Sequence, residues 1–131
     1  MNIARASEAT TRYEFNCDLR RLFPWAGVAD PLWGSAIASV RPNEATSPHS
    51  HDEEETFIIL GGAGVISIDE RTESIQRGDV IYLPRHSRHT IRNTSGEQPL
   101  EFLTIWWGSP EANSRMVDMA RTLMAAEGSA P

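Results

Sequence analysis

Apolar and polar residues alternate along much of this chain, in short runs cut by turn formers. In ETFIIL, Glu55, Phe57 and Ile59 fall on one side, and Thr56, Ile58 and Leu60 on the other. That is the two-residue period of a strand. Both sides are largely apolar, as in a strand covered on both faces. Further strands are predicted at 33–41, stopped by Pro42, at VISID, at 80–83, ended by Pro84, at HTIRN and at LEFLTIWW. NEATSP, GGAG, DERTES and TSGEQP read as the turns between them. Residues 1–15 read as a polar arm or a strand that pairs late. RRLFPWAGVADP reads as turn-rich and aromatic, with Phe23 and Trp25 placed to cap an open end of a core. Strands recurring every ~8–12 residues predict an all-β sandwich or barrel.

One segment breaks the period. Over 110–126, Met116, Met119, Ala120 and Leu123 recur at helical spacing and form an apolar stripe, with Pro110 suited to the first turn. The stripe predicts a short C-terminal helix packed on the barrel. The chain thus divides into an N-terminal arm and aromatic turn region (1–30), a barrel (31–109), the helix (110–126) and a linker-like tail (127–131).

Composition narrows the function classes. With 131 residues, 40% of them apolar, the chain is one domain with a buried core. A net charge of −6 argues against nucleic acid and anionic membrane surfaces, which select for Lys and Arg. No stretch approaches the ~20 apolar residues of a membrane span, and MNIARASEATTRYEF lacks the apolar core of a signal peptide. Cys17 is the only cysteine, which excludes an intrachain disulfide and suits a cytoplasmic protein. It reads as a packing residue.

The candidate chemistry lies in TSPHSHDEEETFIILGGAG and GDVIYLPRHSRHTIRN. On a strand, His49 and His51 face the same way, and Glu55 keeps their parity. His89 opens a second alternating run with Ile91. Three imidazoles and a carboxylate suit one divalent first-row metal, with positions left open for water or substrate. Glu53 and Glu54 read as a solvated face, although a bulge would exchange Glu54 for Glu55. Parity assigns Phe57, Ile59 and Ile91 to the pocket, and Trp33, Arg41, Trp106 and Trp107 are further pocket candidates. Arg41, Tyr82 and Glu101 are the candidate catalytic side chains.

These residues resemble the two motifs of the cupins. His49, His51, Glu55 and Gly62 match the first, and Gly78, Pro84, His89 and Asn93 match the second, with fifteen residues between them, 63–77. Two motif glycines are replaced, by Asn43 and His86. His86 reads as an exposed turn residue, since His tolerates left-handed backbone. The resemblance covers about residues 33–107. It implies a cupin double-stranded β-helix, a jelly-roll-like barrel, with a metal held by His49, His51, Glu55 and His89, and a homodimer. Zinc is the first expectation, then Fe(II), with Mn or Ni after them.

A finer resemblance, in FPW, WGSAIASVRP, HSHDEEETFIILGGAG and LEFLTIWW, is to the small cupin domain of hydrazine synthetases. It implies a methionyl-tRNA-synthetase-like partner domain that makes an aminoacyl ester of an N-hydroxylated amine such as N6-hydroxylysine. The cupin then rearranges the ester to an N–N-bonded hydrazine, with the metal as Lewis acid. The same ligands also suit an Fe(II)-dependent dioxygenase, or a metal-containing binding module without turnover.

Overall fold

The computed structural model describes residues 1–128. After a 3₁₀ turn, Ala6–Glu8, come β1 (Arg12–Glu14), β2 (Cys17–Phe23), β3 (Trp33–Val40), β4 (Glu54–Gly61), β5 (Ala63–Ile68), β6 (Arg71–Gln76), β7 (Val80–Leu83), β8 (His89–Asn93), β9 (Leu100–Trp107) and α1 (Pro110–Gly128). One sheet has the order β1-β2-β3-β9-β4-β7, the other β6-β5-β8. The strand pairs are antiparallel. This is an all-β, jelly-roll-like architecture with a C-terminal helix.

The core follows from the alternation. Ala36, Ala38 and Val40 of β3, Phe57 and Ile59 of β4, Ile91 of β8 and Leu100 and Phe102 of β9 are buried. Each Ile, Leu or Phe contributes ~1.5–3 kcal/mol by leaving water. The second face of β4 is only half-covered, and Leu60 is exposed. Asn93 closes one end of the core. It is 1% exposed, and its Nδ2 donates to the carbonyls of Val40 (3.0 Å) and Gln98 (2.7 Å) while its Oδ1 accepts from Ser95 N (2.9 Å). Fully paired in this way, it is a buried amide without the cost of an unmade bond.

The turns account for both replaced glycines. Gly62 and Gly78 have φ of 83° and 92°, and Asn43 and His86 have φ of 63° and 66°. All four positions are left-handed. Asn and His carry little penalty there. Gly62 has a second constraint, because a Cβ would stand 2.5 Å from the Pro99 carbonyl oxygen.

Three expectations are corrected. CDLRRLF is a strand, β2, rather than part of an arm and aromatic turn. Cys17 and Leu19 are buried and their charged neighbours face outward, a pattern too short and too charged to stand out by hydropathy. In DERTES the turn is confined to Asp69 and Glu70, and Arg71–Gln76 is strand β6, exposed except at Ile75. Pairing with β5 makes it a strand, not burial. The helix forms, but none of its residues is buried, and Met116 and Leu123 are 53% and 65% exposed. Its stripe therefore does not pack on the barrel. Of the tail at 127–131, the first two residues extend the helix, and 129–131 lie outside the described residues.

Candidate metal centre

Residues 45–49 run along β8, with bridges Ala45–Arg92 and His49–His89. The backbones of His49 and His89 exchange two hydrogen bonds, of 3.2 and 3.0 Å. The two rings are thereby brought together, 4.5 Å between centroids. His51 follows two residues on, and its carbonyl accepts from His86 N at 2.9 Å. Arg85 fixes the next residue by donating to the backbone and side chain of Asp52 (2.7 and 2.8 Å) and to the Gly108 carbonyl (2.6 Å). That hydrogen bond, with the His86 charge, holds the Asp52 carboxyl below its usual range against a smaller effect of burial.

Ring nitrogens of His49, His51 and His89 lie within 4.8 Å of one another. The Nδ1 atoms of His49 and His89 stand 2.8 and 3.1 Å from the carbonyl oxygens of Ser47 and Ser87. A carbonyl only accepts, so each Nδ1 carries the proton and each Nε2 keeps its lone pair. Glu55 Oε1 is 2.9 Å from His51 Nε2 and 3.3 Å from His89 Nε2. The second carboxylate oxygen of Glu55 accepts a short hydrogen bond from Thr104 Oγ1.

The donor set fits a divalent ion. His89 Nε2 and His51 Nδ1 are buried without a hydrogen-bond partner; the approach of His89 to Glu55 is close but does not make a hydrogen bond. Orphaned buried nitrogens cost free energy unless something binds them. Burial pushes the His49 imidazole below its ordinary pKa, against the Ser47 hydrogen bond, and so favours the neutral ring that metals require. Burial works to raise the Glu55 carboxyl, but its contacts with His89 and Thr104 outweigh it and hold it below its usual value. Glu55 is thus poised as an anion.

His49, His51 and Glu55 line a cavity of about 200 Å³ whose other walls include Phe15, Cys17, Arg21, Glu53, Phe57 and Trp106, and His89 lies buried behind them. Burial raises Cys17 to about 11, helped by the charges of Asp18 and Glu14, so the thiol stays protonated. Trp106 packs against Gly34 of β3, where a Cβ would meet the indole at 2.3 Å.

The structure brings together His49, His51, Glu55, His89, Phe57 and Trp106. It places the other candidates elsewhere. Ile59 and Ile91 are core residues, 1% and 0% exposed. Trp33 packs on Phe23 and, with Trp106, lines a neighbouring pocket. Trp107 points towards Tyr82, 6.5 Å between rings. Arg41 clasps Asp18 with two 3.0 Å hydrogen bonds and lies over the Tyr13 ring. Tyr82 donates to Glu54 at 2.6 Å, and Glu101 is exposed. Arg41, Tyr82 and Glu101 are not in the cavity lining. His86 has a side chain 69% exposed and pairs with Asp52 at 3.2 Å. Sequence reasoning missed Phe15, Arg21 and Thr104, and Glu53 lines the cavity rather than a solvated face. For Thr104 the signal was its parity with Trp106; for Phe15 there was none.

Cupin_2, the cupin domain family, matches residues 36–106. The chain belongs to this family. The plu4264 protein of Photorhabdus luminescens is 33% identical, with a TM-score of 0.78, covering 92% of this chain and 99% of its own. An oxalate-binding protein of Thermotoga maritima is 35% identical over 65 residues, 49% of this chain and 53% of its own. The dimethylsulfoniopropionate lyase DddW of Ruegeria pomeroyi is 31% identical over 61 residues, 46% of this chain and 40% of its own. The chain spans about half the length of the curated relatives it matches. Relatives thus include an enzyme and a binding protein by name, and the fold alone does not choose between them. No described helix is long and apolar enough to cross a membrane.

Proposed function

We propose that this chain is a metal-dependent cupin enzyme acting on a small polar metabolite, with one divalent ion held by His49, His51, Glu55 and His89. The convergence of three imidazoles, two of them on a cavity wall, with buried nitrogens left unpartnered, carries the reading. When bound, the ion supplies Lewis acidity for a carbonyl or carboxylate oxygen; we favour zinc, then Fe(II), then Mn or Ni. The protein's own residues do the rest. Thr104 occupies one oxygen of Glu55 and leaves the other for the centre. Phe57, Phe102 and Trp106 give the cavity apolar walls.

Arg21 and Glu53, opposite in charge on one lining, suit a zwitterionic amino-acid derivative. A guanidinium grips a carboxylate, and a carboxylate holds an ammonium. Arg21 now pairs with Glu14 at 2.6 Å and would exchange that partner for substrate. This supports, as the specific reaction, rearrangement of an aminoacyl ester of an N-hydroxylated amine, such as N6-hydroxylysine, to a hydrazine. The α-amine attacks the hydroxylamine nitrogen and loses a proton, the N–O bond breaks, and the carboxylate leaves with the electron pair. The step is an isomerisation and consumes no oxidant. In this reading the chain works in the cytoplasm beside a methionyl-tRNA-synthetase-like domain that supplies the ester.

The test is to offer such an ester to the metal-loaded protein without O2 and follow the product by mass spectrometry. A product of unchanged mass that resists ester hydrolysis supports the reaction. Substrate loss that requires O2 replaces it with the dioxygenase. Binding without turnover favours a ligand-binding module, the reading for which the oxalate-binding relative speaks.

A further inference from the structure

The hairpin between β1 and β2 has a two-residue loop, Phe15 and Asn16, closed by the pair Glu14–Cys17. Both loop residues are left-handed, with φ of 53° and 62°. Such a turn asks for Gly, Asn or Asp at both places. Phe is a poor choice, since a bulky side chain at positive φ is strained. The residue is also 51% exposed, so core packing does not explain it.

The ring does meet one functional group. It lies 5.4 Å from the His49 ring, inclined by 31°, and lines the metal cavity. The backbone of the tip is tied to the same histidine. Phe15 O accepts from Ser47 N at 2.9 Å, and Ser47 O accepts from His49 Nδ1 at 2.8 Å. Asn16 Nδ2 adds a bond to Ala45 O at 2.9 Å. Tip, Ser47 peptide and imidazole form one hydrogen-bonded series.

We infer that Phe15 is a positioning residue for the metal centre. Its left-handed backbone is kept because it puts an aromatic ring against the outer side of His49. There the ring shields the imidazole from water and fixes its plane, while the Ser47 peptide fixes its tautomer. The apolar shell around a metal ligand controls solvent access and ligand loss. The inference rests on the metal reading of His49.

The strain makes the test decisive. Phe15→Gly relieves the backbone and removes the ring, and Phe15→Tyr keeps both ring and strain. Each is prepared metal-free and then loaded with zinc. Thermal unfolding of the metal-free proteins and the rate of zinc loss to excess chelator are recorded. We expect Phe15→Gly to unfold at or above the wild-type temperature, yet to release zinc roughly ten-fold faster. Phe15→Tyr should release zinc at the wild-type rate. Equal release by Phe15→Gly and wild type overturns this inference alone. So does a metal-free Phe15→Gly that melts well below wild type, which would make the ring a structural cover. A wild-type chain that takes up no divalent metal overturns both the metal reading and this inference.

Discussion

The cavity beside the histidine cluster has two kinds of wall. One is built from the loop before β4 and from β4 itself, and it supplies His49, His51 and Glu55, backed by His89 of β8. The other comes from the β1–β2 hairpin and supplies Phe15, Cys17 and Arg21. The first is anchored at left-handed corners that carry Gly, Asn or His, residues that accept such a backbone cheaply. The second is anchored at a corner that carries Phe. Five non-glycine residues among those described have positive φ, and Phe15 alone is not Asn, Asp or His. The contrast separates geometry that the chain adopts at little cost from geometry it holds for the site.

The largest effect should come from breaking the first wall. His49→Ala, His51→Ala or His89→Ala should abolish stoichiometric zinc binding, read by metal analysis, and leave a strand-rich circular dichroism spectrum. Retention of full metal content by His49→Ala would remove that residue from the ligand set.

A smaller loss should follow from the residue behind a ligand. Thr104→Val keeps the shape but leaves one buried oxygen of Glu55 without its donor. Zinc affinity, measured by chelator competition, should fall roughly ten-fold, and Thr104→Ser should restore it. An unchanged affinity in Thr104→Val would show that the hydrogen bond does not orient Glu55.

The second wall is tested by pH at Cys17. Its thiol ionises near 11 in the fold, against an ordinary value of 9.0. A pKa raised on folding gives stability that is complete below the unfolded value and lost as pH rises to the folded one. Cys17 should therefore weaken the fold between about 9 and 11 and react with iodoacetamide only as pH nears 11. Rapid labelling at neutral pH would show a hairpin open to solvent.

The smallest effect is expected at the corners of the first wall. Asn43→Gly and His86→Gly should each change stability by less than ~0.5 kcal/mol and leave metal binding intact. A metal loss in His86→Gly would give that exposed histidine a place at the centre.

These differences also explain what could be read in advance. The clustering of His49, His51, Glu55 and His89 was legible from the spacing of the two motifs, although 50–53 form a bend before β4 rather than the strand that parity assumed. Strands β3, β4, β7, β8 and β9 were legible from alternation and from the prolines that stop two of them. Strand β2 was not, because Asp18, Arg20 and Arg21 mask the period set by Cys17 and Leu19. Phe15 was not, because nothing local marks a phenylalanine as left-handed; only the register of β1 on β2 does so. Arg41 looked apt for a substrate carboxylate, but Asp18 on the paired strand takes its guanidinium. The helix stripe followed the rule for an amphipathic helix, yet packing depends on where the chain leaves β9, which periodicity does not record.

The central claim is that His49, His51, Glu55 and His89 form one metal site. The most direct measurement is metal content per chain, by plasma mass spectrometry on tag-free protein purified without chelator. The account predicts close to one divalent first-row ion per chain, zinc before iron, removed by chelator and taken up again. A chain that holds none, and takes up none when zinc, iron, manganese and nickel are offered, would contradict it.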